Sequence, residues 1–545
     1  GIGIDIDNPS PEPELAISHC MLRTTETGIR LSMKKFYQVR DNIFEPATDP
    51  SIHEYKDIST LSSFMGVYHR NIFRRYAGNN SDEINRTCIS FDEPGWKFDN
   101  EHMIIMNNVF PDGVKAVGGG DLAQTENTSI IKENVFTAKP ETGIIGDLLY
   151  SEYAEPVSAE ELEIRGPVFS VADYGSAGNG IEDDAEAFQA AANELAAEGK
   201  EVMYITVGKY IINKKSDVKC SENTKKGSIA ILGEGPGISM IICNNEEGIF
   251  DLNDLSGLLA FDLRNFGVYA NKNHSTAIRL VSKNEGLPEY RSLTVRSVDI
   301  KPYRPTYEEN IHFRNGIIAT GFSKPLIYNY LFNSIKNRRY SVPFGDMTDY
   351  GLYLENCSAL TFYYTYVWRA RNAIFIKGET NNHSYFFRTR VVENHQGVSV
   401  INKKHSEGLW MENCHVNNGV GNILIENMSK LMFLDNLPYG DSPGIPYGPE
   451  EIKIFDYDYH LINCRDGAII GNVYQRPTWD NYDPLPESNR KAVVLEGDNA
   501  GNILIEKNIH NAKGKILVIK NEMDGIIARD NLYPNPQAMR PTIDH

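Results

Sequence analysis

The sequence predicts an all-β protein built as a solenoid of parallel strands, coil stacked on coil, with a separate region in front of it. Short apolar alternations that close on Asn or Gly recur along the second half of the chain. Leu352-Tyr-Leu-Glu-Asn356, Ile374-Phe-Ile-Lys-Gly378, Val398-Ser-Val-Ile-Asn402 and Ile423-Leu-Ile-Glu-Asn427 start 22, 24 and 25 residues apart, and Val493 and Leu517 open two more, 24 apart. A period in the low twenties made of strands is the signature of a β-solenoid, since one coil cannot bury its apolar side alone. Stacked coils bring like residues into columns, and Asn at the corners (Asn356, Asn402, Asn413, Asn427, Asn436) suits hydrogen-bonded ladders. The 70 residues between Ile423 and Val493 leave room for about three units, or for fewer with inserted loops. A sandwich of short strands is the alternative, but it has no reason to keep a constant period.

The elements follow in chain order. Residues 1–165 read as an irregular N-terminal region with scattered aromatics such as Tyr55 and Trp96, and the acidic stretch Glu155–Glu163 reads as a short helix or a linker. From Val168 to Ile212 the pattern gives a strand, a Gly-rich turn (Gly175 to Gly180), an amphipathic helix and another strand. Asp183 or Asp184 caps the helix, and Ala187, Phe188, Ala191, Ala192 and Leu195 form its apolar face. The solenoid then occupies residues 166–533, and 534–545 form a tail.

The chain has 545 residues, a net charge of −19 and a pI near 5.2, which disfavours a phosphate backbone or an anionic leaflet as partner. Nucleic acid and membrane insertion are therefore not expected. The N-terminal sequence lacks the basic start and apolar stretch of a signal peptide, so the reading is a protein that acts without Sec export or a trimmed chain. Seven scattered cysteines, odd in number and never spaced as CxxC, indicate neither a disulfide framework nor a zinc site.

Phe169-Ser-Val-Ala-Asp173-Tyr-Gly175, Gly178-Asn-Gly180, Asp183-Asp184 and Ala187-Phe-Gln-Ala-Ala191 resemble the opening motif of the pectate-lyase-like right-handed parallel β-helix superfamily. Asn179 and Ala185 depart from the usual Asp and Thr, at the turn and the helix start. The resemblance implies a right-handed β-helix with a short capping helix where it begins. It also implies an activity on polysaccharide, most like that of a bacteriophage tailspike depolymerase acting on capsule or O-antigen. A homotrimer on the phage tail follows, acting outside the host cell and joined to a baseplate or tail protein through residues 1–165; a secreted protein is the alternative. Extracellular lyases and mannuronan epimerases share the motif, but calcium-binding nonapeptide repeats are absent. No P-loop or EF-hand spacing occurs, and no cofactor or metal is expected.

Alternation along the strands suggests where a glycan would bind. Taking Leu409 and Met411 as inward places Trp410 and Glu412 outward, and taking Met432 and Leu434 as inward places Phe433 and Asp435 outward. The same reading one and two coils back sets Phe386 and Arg388, then Thr361 and Tyr363, outward. An aromatic column beside a carboxylate column fits a polysaccharide groove, with rings under sugar faces and acids at the glycosidic bond. Glu412 and Asp435, one coil apart at about 5 Å, form the expected pair for retaining hydrolysis, and a slip of one coil, to about 10 Å, would fit an inverting mechanism instead. Glu393 is a further acid. Trp410, Phe386, Phe433, Tyr363, Arg388, Arg390 and His415 are the expected substrate contacts, and Arg388, Arg390 and Tyr363 take the lead if the reaction is β-elimination on a uronate. The alternative is an ordinary ladder of ion pairs, or rings covered by another subunit, in a glycan-binding protein without catalysis. Asp349 and the loop Tyr439–Gly448 read as turn and surface insertion.

Overall fold

The computed structural model describes residues 2–137 and 168–543. Shorter stretches within those spans fall outside the description, the longer being 75–84, 93–102, 120–129, 335–347, 441–456 and 475–490. The expected linker at Glu155–Glu163 and most of the loop Tyr439–Gly448 therefore lie outside the described residues. The chain divides into two compact units, the first built on Gly1–Leu162 and the second on the residues from Glu163 onward, with Lys507–Ile509 and Arg529–Pro534 grouped with the first.

The first unit corrects the reading of an irregular region. It is itself a parallel β-solenoid of five coils, each of three strands, which form three five-stranded parallel sheets. Ile4, Ile29, Ile58, Ile89 and Val117 lie in one column. Their spacings of 25, 29, 31 and 28 residues vary enough to hide the repeat. The rings of Phe44, Phe73 and Phe110 stack in line, each pair 5.0 Å apart and tilted by 12°. Beside them Asn42, Asn71, Asn108 and Asn134 form an amide ladder, each Nδ2 donating to the next Oδ1 at 3.0 Å and also to a backbone carbonyl of the preceding coil, such as Val39 O from Asn71. These amides satisfy backbone groups that the corner leaves unpaired inside the coil.

The second unit begins as predicted. Ser170 caps a 3₁₀ turn at Val171–Tyr174, and the helix Ala185–Glu198 buries Ala187, Phe188, Ala191, Ala192 and Leu195. Asp183 Oδ1 accepts from Ala185 N at 3.1 Å at the start of that helix. Parallel strands follow to the end of the described chain, pairing coil to coil. Leu352, Ile374, Val398, Ile423, Tyr459, Val493 and Leu517 occupy one inward column, so the expected period is also the structural register. Among the described residues, the long gap between Ile423 and Val493 holds one first strand, Tyr457–Ile462.

Each coil has three strands, hence three faces. The second strands are Leu326–Tyr328, Thr361–Tyr363 and Ser384–Phe387, followed by the last residues of Arg390–Glu412 and of His415–Leu434. The corner after the second strand is built the same way in coil after coil. Asn265, Ser297, Asn329, Tyr364, Arg388, Asn413 and Asp435 all take left-handed backbone with φ of 47 to 58°. Such a conformation costs a non-glycine residue about 1 kcal/mol or more. Offsetting this, Asn329, Tyr364, Arg388, Asn413 and Asp435 each donate their backbone N–H to the last second-strand carbonyl of the next coil, at 2.9 to 3.2 Å. In the later coils the residue after the corner is turned inward, and there Asn436 and Asn472 repeat the ladder: Cys414 N donates to Asn436 Oδ1 and Asn436 N to Asn472 Oδ1, both at 2.9 Å.

Candidate polysaccharide-binding face

The outward columns of the second-strand face are fixed by register. Leu326, Thr361, Tyr385, Trp410 and Met432 form one, and Arg264, Arg296, Tyr328, Tyr363, Phe387, Glu412 and Leu434 form the other. Between them runs the inward column Phe362, Phe386, Met411 and Phe433, all fully buried. Phe362 and Phe386 stack at 4.4 Å and 6° inside the coil.

This register corrects two expected sugar contacts. Phe386 and Phe433 belong to the core and offer no surface to a ligand. Tyr385-Phe-Phe387 is aromatic throughout, so alternation of polarity could not tell its two sides apart. In the next coil the pairing of Leu409 with Leu431 is one residue short of the spacing expected from the similar endings Glu412-Asn413 and Asp435-Asn436. A one-residue slip turns every side chain to the other face. Leu434, not Asp435, therefore lies over Glu412, and Met432, not Phe433, over Trp410. Asp435 is a corner residue, 3% exposed, packed so closely on Gly471 that a Cβ there would meet Asp435 Oδ1 at 2.1 Å. The expected Glu412–Asp435 pair is not formed.

What remains on the face is a continuous network of six rings. Tyr328 contacts Tyr363 and Tyr364 at centroid separations of 6.5 and 6.0 Å, Phe387 contacts the same two at 5.6 and 6.3 Å, and Tyr385 contacts Tyr363, Phe387 and Trp410 at 5.8, 6.2 and 6.4 Å. It spans four coils, so three coil steps separate its ends, a length of about 14 Å. Tyr364 and Trp410 are 41% and 40% exposed. Arg388, at the corner, lies 5.1 Å from the Phe387 ring centre and 5.7 Å from that of Tyr364, and donates from Nη1 to the Tyr364 hydroxyl at 3.1 Å. Glu412 is fully buried beneath the strip, where its Oε2 accepts from Trp410 Nε1 at 3.1 Å. Burial, and then the Glu412 carboxylate, push the Tyr363 phenol above its ordinary pKa. Tyr328, Tyr364, Tyr385 and Phe387 were missed by sequence reasoning, although the doublets Tyr363-Tyr364 and Tyr385-Phe386 hold the signal.

The other expected residues lie elsewhere. Arg390 and His415 are register neighbours on the third-strand face, Arg390 exposed with its guanidinium 5.2 Å from the Tyr366 ring centre and His415 buried. Glu393 occupies the next corner, with φ of 55°. Its Oε2 accepts from Trp368 Nε1 and from Arg369 Nε, both at 2.8 Å, while Arg369 lies 4.2 Å over the Trp368 ring. That arrangement clamps adjacent coils. Asp349 pairs with Arg314 and Arg371. Among the described residues, no group of three or more His, Cys, Asp or Glu could hold a metal ion, and no helix is long and apolar enough to cross a membrane.

Parallel three-strand coils, a capping helix at their start and a left-handed corner repeated through the stack settle the architecture. The chain is an all-β solenoid of parallel strands, a parallel β-helix. No protein-family model matches the chain, and no curated protein matches it. Similar solved structures include the A-module of the mannuronan C-5 epimerase AlgE6 of Azotobacter vinelandii, 12% identical with a TM-score of 0.37 over 68% of this chain and 100% of that one. The surface protein and adhesin PfbA of Streptococcus pneumoniae is 13% identical with a TM-score of 0.40, over 69% and 99%. The Pseudomonas phage phi297 tailspike gp61 is 12% identical with a TM-score of 0.34, over 66% and 80%.

Proposed function

We propose that this chain acts on a polysaccharide laid along the ring strip of its second-strand face. The observation that carries this reading is the six-ring network from Tyr328 to Trp410, half-exposed at Tyr364 and Trp410 and edged by the Arg388 guanidinium. Exposed rings in a continuous row call for a partner, and sugar C–H faces are the partner that flat, partly polar rings accept. The reaction in this reading is endo-hydrolysis of a glycosidic bond, with Glu412 as the acid. Because its carboxylate is covered, the Trp410 indole must lift away before a glycosidic oxygen can reach it. The biological setting we propose is a tailspike-type depolymerase of capsule or O-antigen, trimeric on a phage tail and attached through the N-terminal solenoid.

Capture of glycan without cleavage is the second reading, favoured by Leu434 standing where a second carboxylate was expected over Glu412. Incubation of the protein with a panel of bacterial capsular polysaccharides, read by mass spectrometry and size-exclusion, separates the cases. Fragments with added water support hydrolysis, unsaturated fragments support a lyase led by Arg388 and Tyr363, and retained but uncut glycan supports capture. Absence of binding to every polysaccharide by wild type, together with unchanged behaviour of Trp410→Ala, would overturn the reading. Light scattering tests the trimer.

A further inference from the structure

The ring column does not end at Tyr328. In register with it, one and two coils toward the capping helix, stand Arg296 and Arg264. The Arg296 guanidinium carbon lies 5.3 Å from the centre of the Tyr328 ring, so the first guanidinium continues the surface of the last ring. Arg264 is paired, its Nε donating to Asp262 Oδ1 at 2.6 Å, and Asp262 is the carboxylate on the neighbouring outward column of the same face. The two guanidiniums of Arg264 and Arg296 against the one carboxylate of Asp262 leave an excess of one positive charge among these three side chains, at the end of the ring column. That local sign opposes the −19 of the whole chain. Like charges on neighbouring coils repel, and a bound anion relieves them.

We propose that Arg296, backed by Arg264, is an anion subsite in line with the ring strip, and that the polysaccharide bound there carries negative substituents. The inference rests on the glycan reading above and narrows its substrate class. An arginine fork pairs with a carboxylate or a phosphate in the same planar geometry, so a uronate and a phosphodiester-substituted sugar share the required chemistry.

The test uses the full chain and matched glycans: uronate-containing capsular polysaccharides before and after carboxyl reduction, and phosphate-substituted ones before and after phosphate removal, with affinity measured at low and moderate salt. Wild type is expected to bind one charged form at least about tenfold more tightly than its neutral counterpart, with the gap narrowing as salt rises. The pair that shows the gap identifies the anion. Arg296→Gln is expected to close the gap, Arg296→Lys to restore part of it, and Tyr363→Ala to weaken charged and neutral forms alike. Equal binding of charged and neutral forms by wild type overturns the anion subsite, as does a gap that survives Arg296→Gln. If Tyr363→Ala still weakens both forms in that case, the ring strip stands without it. Failure of every glycan to bind overturns both.

Discussion

Trp410 and Glu412, two residues apart on one strand, are joined side chain to side chain by the 3.1 Å bond from the indole Nε1 to Oε2, with the ring 40% exposed and the acid not at all. The buried carboxylate therefore orients the exposed ring. This gives Glu412 two separable duties, as anchor and as acid. Glu412→Gln keeps an oxygen acceptor for the indole and loses the proton. It is expected to retain glycan binding within about threefold while abolishing oligosaccharide release. Glu412→Ala is expected to weaken binding as well. If Glu412→Gln digests at the wild-type rate, the acid role is excluded and the anchoring role alone remains.

The inward and outward columns make opposite predictions for rings that are close in sequence. Phe386→Ala removes one of a stacked interior pair and is expected to lower stability by about 3–5 kcal/mol. Trp410→Ala, on the outside, is expected to lower glycan affinity and leave the unfolding midpoint nearly unchanged. Urea titration beside a binding isotherm measures both.

The amide ladder of the first solenoid predicts a large penalty for a small change. Asn71 accepts at Oδ1 from Asn42 and donates from Nδ2 to Val39 O and to Asn108 Oδ1. Asn71→Ala takes this partner from the Asn42 backbone N–H and from the Val39 carbonyl on the preceding coil, at about 1–3 kcal/mol for each buried group left unsatisfied, while Asn108 Oδ1 keeps the Asn71 N–H. Its unfolding midpoint is expected to fall well below that of an Asn→Ala change at an exposed position.

Two histidines of the second unit predict acid sensitivity. Burial, and then the nearby Arg371, lower His395 from the ordinary 6.5 to about 4, while burial alone lowers His510 to about 3. Below pH 6.5 the unfolded chain takes up protons that these folded rings refuse. Their contribution is complete above that pH and is lost progressively as pH falls toward 4 and then 3. His510 stacks on Tyr474 at 4.4 Å, so His510→Phe preserves the stack and removes the titration. The slope of stability against pH between 6.5 and 3 is expected to be shallower in that variant, as read from urea midpoints across the range.

The first-strand columns were legible because Leu352, Ile374, Val398 and Ile423 each open a short run that closes on Asn or Gly and recur at nearly constant spacing. The helix at Ala185–Glu198 was legible from its cap and its apolar face. The second-strand face was half legible. Trp410, Glu412 and Tyr363 stand in its outward columns, with Glu412 covered there, but an all-aromatic run at Tyr385–Phe387 and a coil one residue short at Leu431 carry no alternation that reveals the slip. Arg388 and Asp435 were read as strand residues because nothing local marks a left-handed corner occupied by Arg or Asp. Its stability comes from a carbonyl one coil away, a partner at long sequence distance. The first solenoid was hidden by its uneven spacing, although Asn42, Asn71 and Asn108 each precede a strand by the same short step.

That left-handed corner has a consequence for how such a surface changes. From Asn329 to Asp435 its backbone N–H is held by a main-chain carbonyl in the next coil whichever side chain the position carries. Asn, Ser, Tyr, Arg and Asp all occupy the position along this one chain. The corner thus presents a row of interchangeable sockets along the margin of the aromatic strip, where preference among ligands can be rewritten one residue at a time while the scaffold beneath stays the same.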